Sequence, residues 1–292
     1  MATTTITLSP AGRFMGLVTE ARRLRLPWIP ITIIVVLAVM AIFAPLLAPH
    51  DPRETNLINS RTPPFETWSN PLGTDFVGRD VLSRLIYGAR TSATISATAL
   101  GAGVVVGTIL GLIAGYAGKW VDTIIMRFAD ATMGFPSILV AMIIVAILGQ
   151  GMINIMIAVA ATTWPRLARM IRGEVLAVKE RDFVTLARIA GISPTQIVWR
   201  HVFPNVVNTL MVITSISVAA VILLEASLSF LGLGVPPGEP AWGIMVAEGR
   251  QSILRLWWIS LFPGVIITIV VMAFNFFGDW LRDTLDPKLR RI

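Results

Sequence analysis

Five stretches of this chain carry almost no charge, and nothing constrains its folding more. Leu26 to Pro49, Thr91 to Gly118, Ala131 to Pro165 and Leu256 to Gly278 contain no Asp, Glu, Lys or Arg, and Val206 to Leu231 contains one, Glu225. A bilayer crossing needs about 20 mostly apolar residues at about 1.5 Å each. These stretches therefore predict helices in lipid. Only 14% of the 292 residues are charged, where a soluble domain carries about 25%. The expected fold is an all-α integral membrane protein with six transmembrane helices. The spans fall near 28–48, 91–118, 124–148, 152–169, 206–231 and 256–278, with Gly149-Gln150-Gly151 as a tight turn splitting the third run.

Charge then orients the spans, because Lys and Arg near span ends stay cytoplasmic. The tails, the 2–3 turn and the 166–200 region form one face with 17 basic and 9 acidic residues, whereas the segments 49–90 and 233–255 carry 7 of each. Both termini are expected in the cytoplasm, and the net charge of +7 needs no nucleic acid to explain it. The first apolar run is too long for the core of a cleaved signal peptide, and an uncleaved anchor is expected. Expected boundaries are a cytoplasmic tail over 1–27, a transmembrane domain over 28–292, an external segment over 49–90, a cytoplasmic loop over 170–205 and a C-terminal tail over 279–292. Asp80 to Arg90 reads as a short amphipathic helix at the membrane surface, with Val81, Leu82, Leu85 and Ile86 on one side. A second short helix is expected within 233–255.

The polar loop before the fifth span has its own structure. In RDFVTLARIAGISPTQIVWRHVFP (181–204), Gly191 can end a first helix in a left-handed cap conformation. Ser193 can cap a second helix, with Pro194 at its first position and Gln196 at capping-box spacing. Ile192 and Ile197 flank the cap as a hydrophobic staple, and Pro204 is expected to close the unit. The residues alone allow a docking element or a well-capped ordinary loop.

Inside the membrane, Gly103, Gly107, Gly111 and Gly115 put four glycines on one stripe of the second span, which lets a neighbouring helix come close. That neighbour is either a helix of this chain or one of a partner. Glu225 reads either as a polar group on a solute path or as an interface-level carboxylate, solvated or paired with a partner chain. Arg127 and Asp130 can pair at i and i+3. Trp28, Trp120, Trp164, Trp257 and Trp258 read as an aromatic belt. Cysteine is absent, and His50 and His201 have no metal-ligand partner at short spacing, so no metal is expected. No GxxxxGK phosphate loop followed by Ser or Thr occurs; Gly118-Lys119 runs into Trp120. No catalytic set of polar groups at common depth is present, which argues against an intramembrane enzyme.

Residues 185–204 resemble the EAA loop of permease subunits of bacterial ABC importers. Thr185-Leu186-Ala187 stands at the EAA position, Gly191 at its glycine, and His201-Val202-Phe203-Pro204 at its end, with Thr and Leu replacing Glu and Ala. Gly73-Thr74-Asp75, Gly78-Arg79-Asp80, Ser83-Arg84 and Gly88-Ala89-Arg90 are similar to the external segment of dipeptide, oligopeptide and nickel permeases. Leu228-Ser229-Phe230-Leu231-Gly232 and Gly278-Asp279-Trp280-Leu281-Arg282-Asp283-Thr284-Leu285-Asp286-Pro287-Lys288 resemble the C-type member of the permease pair.

The resemblance implies a type I importer half-pore for peptides or related solutes, without catalysis of its own. It implies a second homologous permease, an extracytoplasmic solute-binding protein, and two ATPase subunits that bind ATP and Mg. ATPase coupling would fall to Asp182, Thr185, Leu186, Ala187, Gly191, Ile192, Ser193, Phe203 and Pro204. An ATP-independent secondary carrier, or a permease for nickel chelates, opines or oligosaccharides, stands as the alternative.

Overall fold

The computed structural model describes residues 26–236 and 238–285; the N-terminal tail and Asp286, Pro287 and Lys288 lie outside them. Among the described residues the regular structure is helical, apart from one isolated antiparallel bridge between Thr74 and Asp80. The chain runs α1 (Trp28–Ile42), α2 (Ala44–Leu47), α3 (Val81–Ala117), α4 (Lys119–Met133), α5 (Ser137–Leu148), α6 (Met152–Lys179), α7 (Asp182–Ile189), α8 (Pro194–Ile197), α9 (Phe203–Phe230), α10 (Trp242–Gly249) and α11 (Trp257–Leu285).

Among the described residues, three helices are long and apolar enough to cross a membrane: α3, the continuous helix Pro194–Phe230 and α11. A fourth exists if α4 and α5 count together, but they meet at a bend of 92°. The third span, expected over 124–148, is thus not one continuous helix. Gly134-Phe135-Pro136 interrupts it, because proline restricts the residue before it and cannot donate to a continuing helix. In α6 the apolar run gives way to Arg166, Arg169 and Arg172, yet the helix continues to Lys179. The helix α1 is apolar but only 15 residues long.

The surface helix expected over 80–90 does not exist as a separate element. Those residues are the first turns of α3, which runs 37 residues without a break. Asp80 caps it, its Oδ2 accepting from the Ser83 backbone N–H at 2.7 Å. Val81 and Leu85 are buried there against Trp242, Met245 and Trp258 rather than facing a bilayer.

The core is divided along the bundle. A central cluster joins Ile95 and Ala99 of α3 to Ala141 and Val145 of α5, Ile155 and Val159 of α6, and Val221 of α9. A second cluster, at the N-terminal end of α3, draws in α1, α10 and α11. A third, at the opposite end, joins Leu112, Ile171, Val175 and Val178 to Val184, Ala187, Ile197, Val202 and Val206. Many large apolar side chains remain exposed on the outside, among them Ile143, Ile147, Val105 and Phe276. In lipid this exposure carries no hydrophobic penalty.

The four glycines seat α3 on α6. A Cβ at Gly107 would lie 2.7 Å from Leu167 Cβ, and one at Gly115 would lie 2.7 Å from Val175 Cβ. Gly103 faces Thr163 and Gly111 faces Ala168 and Ile171. The stripe is therefore filled by a helix of the same chain. Ion pairs tie α4 to the same helix: Arg172 donates to Asp122 at 2.5 and 2.6 Å, and Arg169 pairs with Asp130. Asp130 thus meets Arg169 of α6 instead of Arg127, the partner that the i, i+3 spacing suggested, because the packing of α4 on α6 brings Arg169 onto it.

Candidate functional site

The elbow between α6 and α9 is built from local signals. Asp182 stands in the first turn of α7 and Arg188 in its last, matching the helix dipole. Gly191 has φ +75°, its N–H donates to Arg188 O at 3.0 Å, and the Ile192 N–H donates to Ala187 O at 3.1 Å. That paired pattern is a Schellman cap, which a residue with a Cβ closes only under strain. Ser193 Oγ then accepts from the Gln196 N–H at 3.4 Å, and Pro194 opens α8. Ile192 and Ile197 both enter the third core cluster.

Pro204 does not close this unit. It occupies the first turn of α9, where a missing N–H is harmless, and one π-helical turn at Val198–Val202 joins α8 to α9. The result is one helix over Pro194–Phe230.

The elbow has two faces. Val184, Ala187, Ile197 and Val202 are buried against the ends of α3, α6 and α9. Facing out are Asp182, Thr185, Leu186 and Ser193, with Phe203 half-buried and Pro204 exposed. Three large apolar side chains recur at i, i+3 and i+6 on the outward side of α7: Phe183, Leu186 (64% exposed) and Ile189 (78% exposed). Trp199 is also exposed and packs edge-on to Phe203 at 5.2 Å between ring centroids. An exposed apolar stripe on a short polar helix with arginines around it has the composition of a protein contact, with an apolar centre and a polar rim.

At the opposite end of the bundle, the segment between α2 and α3 is more ordered than its composition suggests. Its backbone is cross-tied by Asn56 N–H to Val77 O at 3.1 Å, Arg61 N–H to Asp75 O at 2.9 Å and Thr74 N–H to Thr62 O at 3.0 Å. Arg84, fully buried, donates to Asp75 at 2.7 Å and to Glu248 of α10 at 2.6 Å. Arg79 reaches the same two carboxylates at 2.6 and 3.2 Å. Trp242 of α10 donates to Leu85 O at 3.0 Å, and its indole lies where a Cβ on Gly88 would stand. At the rim, Arg53 pairs with Glu239 at 2.5 Å, and that hydrogen bond raises the guanidinium pKa above its ordinary value. Sequence spacing gave no sign of Glu248, which lies 164 residues from Arg84. Trp258 is likewise not part of an interfacial belt: it is buried and donates to Thr74 O at 3.0 Å. Trp28, Trp120 and Trp257 are exposed.

Glu225 is wholly enclosed by protein, so the solvated reading of this carboxylate falls. Its Oε1 accepts from Ser229 Oγ at 2.8 Å. Its Oε2 and the buried hydroxyls of Ser92 and Ser96 on α3 lack hydrogen-bond partners among the described residues. Gly234 and Gly243, after α9, press on Ser229 and shut this polar patch beneath the end of the bundle that holds Arg84. Among the described residues no cluster of His, Cys, Asp or Glu could hold a metal ion.

Comparison with known proteins places this geometry. The family model "binding-protein-dependent transport system inner membrane component" matches residues 107–291, and the model for the N-terminal TM domain of oligopeptide transport permease C matches residues 22–64. The chain is 40% identical, over 93% of its length and 88% of the relative's, to the dipeptide transport system permease protein DppC of Alkalihalophilus pseudofirmus. It is 37% identical to the oligopeptide transport system permease protein OppC of Bacillus subtilis, covering 91% of this chain and 87% of that one. It is 40% identical to the glutathione transport system permease protein GsiD of Escherichia coli, covering 88% and 84%.

Proposed function

The chain belongs to the family of binding-protein-dependent transport system inner membrane components, as a multi-pass permease subunit of an ABC importer, and from that premise we propose that it forms one half of a type I pore whose elbow, residues 182–204, is gripped by an ATPase. The observation that carries the reading is the apolar stripe Phe183, Leu186 and Ile189, held outward on a helix capped at Gly191 and fixed from behind by a dry core. A doubly capped elbow transmits displacement, whereas a loose loop absorbs it.

In this reading six segments cross the bilayer: α1, α3, the bent α4–α5 pair, α6, α9 and α11. The basic end of the bundle, carrying the elbow and both termini, faces the cytoplasm. A second, related permease completes the pore. Two ATPase subunits carry ATP and Mg, and an extracytoplasmic binding protein delivers the solute to the end held together by Arg84. Closure of the ATPases draws two elbows together and rocks the pore between inward- and outward-open states. Glu225 supplies a polar group beside the path, beneath the outer end. The names of the relatives support peptides, from dipeptides to glutathione, as the solute class.

The test is Gly191→Arg combined with Ser193→Ala. Loss of ATPase co-purification is expected, with the subunit still inserted; normal co-purification would refute the coupling role. Uptake by vesicles holding this chain alone under an ion gradient would favour a secondary carrier instead.

A further inference from the structure

The elbow is joined covalently to α6 and, through one continuous helix, to α9. It has no such link to α3, which leaves this end of the bundle at Gly118, 64 residues before Asp182. Two noncovalent contacts make the connection, and a third beside them ties the last residue of α6 to α3. Lys179 Nζ donates to Gly115 O at 3.0 Å, capping a carbonyl in the last turn of α3. The Arg188 guanidinium stands over the Tyr116 ring, 5.6 Å from its centroid. Leu112 is buried in the same cluster as Val178, Val184 and Ala187.

What α3 reaches is the far end of the bundle. Its 37 residues contain no proline and span about 55 Å. Along its length it is seated on α6 by the four glycines. At its first turns it holds Arg84, which binds Glu248 of α10, and Gly88, on which Trp242 of α10 lies. A stiff element anchored at both ends by specific contacts is suited to carry a displacement between them.

We propose that α3 is the strut through which movement of the elbow reaches the opposite end of the bundle, and that Arg188 and Tyr116 are positioning residues forming its joint. The proposal rests on the elbow being the ATPase-coupling element. Cation–π contacts hold orientation without rigid locking, because the guanidinium can slide across the ring face. Lys179 fixes the axial position of the helix end while Arg188 sets its angle to the elbow.

The chain has no cysteine, so single reporters can be placed cleanly. In the full importer in proteoliposomes, with partner cysteines replaced, a spin label goes at Thr195→Cys, exposed on the elbow away from its apolar stripe, or at Leu254→Cys, which is 95% exposed at the far end. ATP with vanadate serves as the probe. The parent is expected to respond at both positions. Tyr116→Leu with Arg188→Gln should keep the ATPases bound and the elbow label responsive, while the far-end response falls at least about fivefold. Tyr116→Phe, which keeps the ring face under the guanidinium, should respond like the parent. An undiminished far-end response in the double variant overturns the strut. Loss of ATPase binding in that variant also overturns it, since the two residues would then belong to the dock. An elbow label that never responds in the parent would instead sink the coupling reading itself.

Discussion

The indole N–H of Trp258 donates to the backbone carbonyl of Thr74 at 3.0 Å across 184 residues of sequence, pinning α11 to the segment that precedes α3. Trp258→Phe keeps the ring in place and leaves the carbonyl unpaired in a buried site. A loss of about 1–3 kcal/mol is expected, read as a lower melting temperature of the purified complex. An unchanged melting curve would mean that water or another donor replaces the indole.

The Arg84 network should respond unequally to its parts. Arg84→Met takes one of two arginines from the fully buried Asp75, which keeps Arg79, so a cost of about 1–3 kcal/mol is expected. Glu248→Gln should cost less, because the Glu248 side chain is 25% exposed and Asp75 keeps both arginines. Limited proteolysis between residues 49 and 80 should report this order, with Arg84→Met cut fastest.

Two glycines of α3 provide a matched pair. Gly107→Ala puts its Cβ against Leu167 and the Trp164 carbonyl, so overpacking of about 1–3 kcal/mol is expected. Gly101 has nothing within 4 Å of such a Cβ, so Gly101→Ala should stabilise the helix by up to about 1 kcal/mol. The yield of monodisperse protein after detergent extraction separates them; equal behaviour would contradict the close approach of α3 to α6.

On the elbow, Leu186→Asp with Ile189→Asp should abolish ATPase co-purification. Its effect on the subunit's own stability should stay within about 0.5 kcal/mol, because both side chains are exposed. Val184→Asp, aimed into the core, should instead reduce the folded yield.

Glu225→Gln retains an oxygen to accept from Ser229 and so should leave assembly intact while changing the transport rate. Uptake measured beside co-purification decides this, and unchanged uptake would remove Glu225 from the solute path.

The elbow was legible because its determinants are local. Gly191, Ser193 and Pro194 act on backbone groups within five residues, and no distant partner is needed to interpret them. The glycine stripe was legible as a close contact but not as to its partner, since Leu167 and Val175 announce nothing about α3. The charged residues misled more. Val81, Leu82, Leu85 and Ile86 on one side made residues 80–90 look like a surface helix, with charges such as Arg84 taken to face water. The charges of Arg79 and Arg84 are instead matched by Asp75 and by Glu248, and only the folded chain brings Glu248 near. The bend at Gly134-Phe135-Pro136 did have a signal in Pro136, but the surrounding run is so apolar that hydropathy outweighed it.

The single π turn at Val198–Val202 has a geometric consequence. Such a turn holds one residue more than a regular one, and each residue advances an α-helix by about 100°. The phase of α8 is thereby set apart from that of α9, even though no break separates them. Deleting one residue there would iron out the turn and swing Trp199 and everything before it to another side, with the lipid-embedded part undisturbed. The direction in which the outer side of the elbow faces is thus written in one surplus residue.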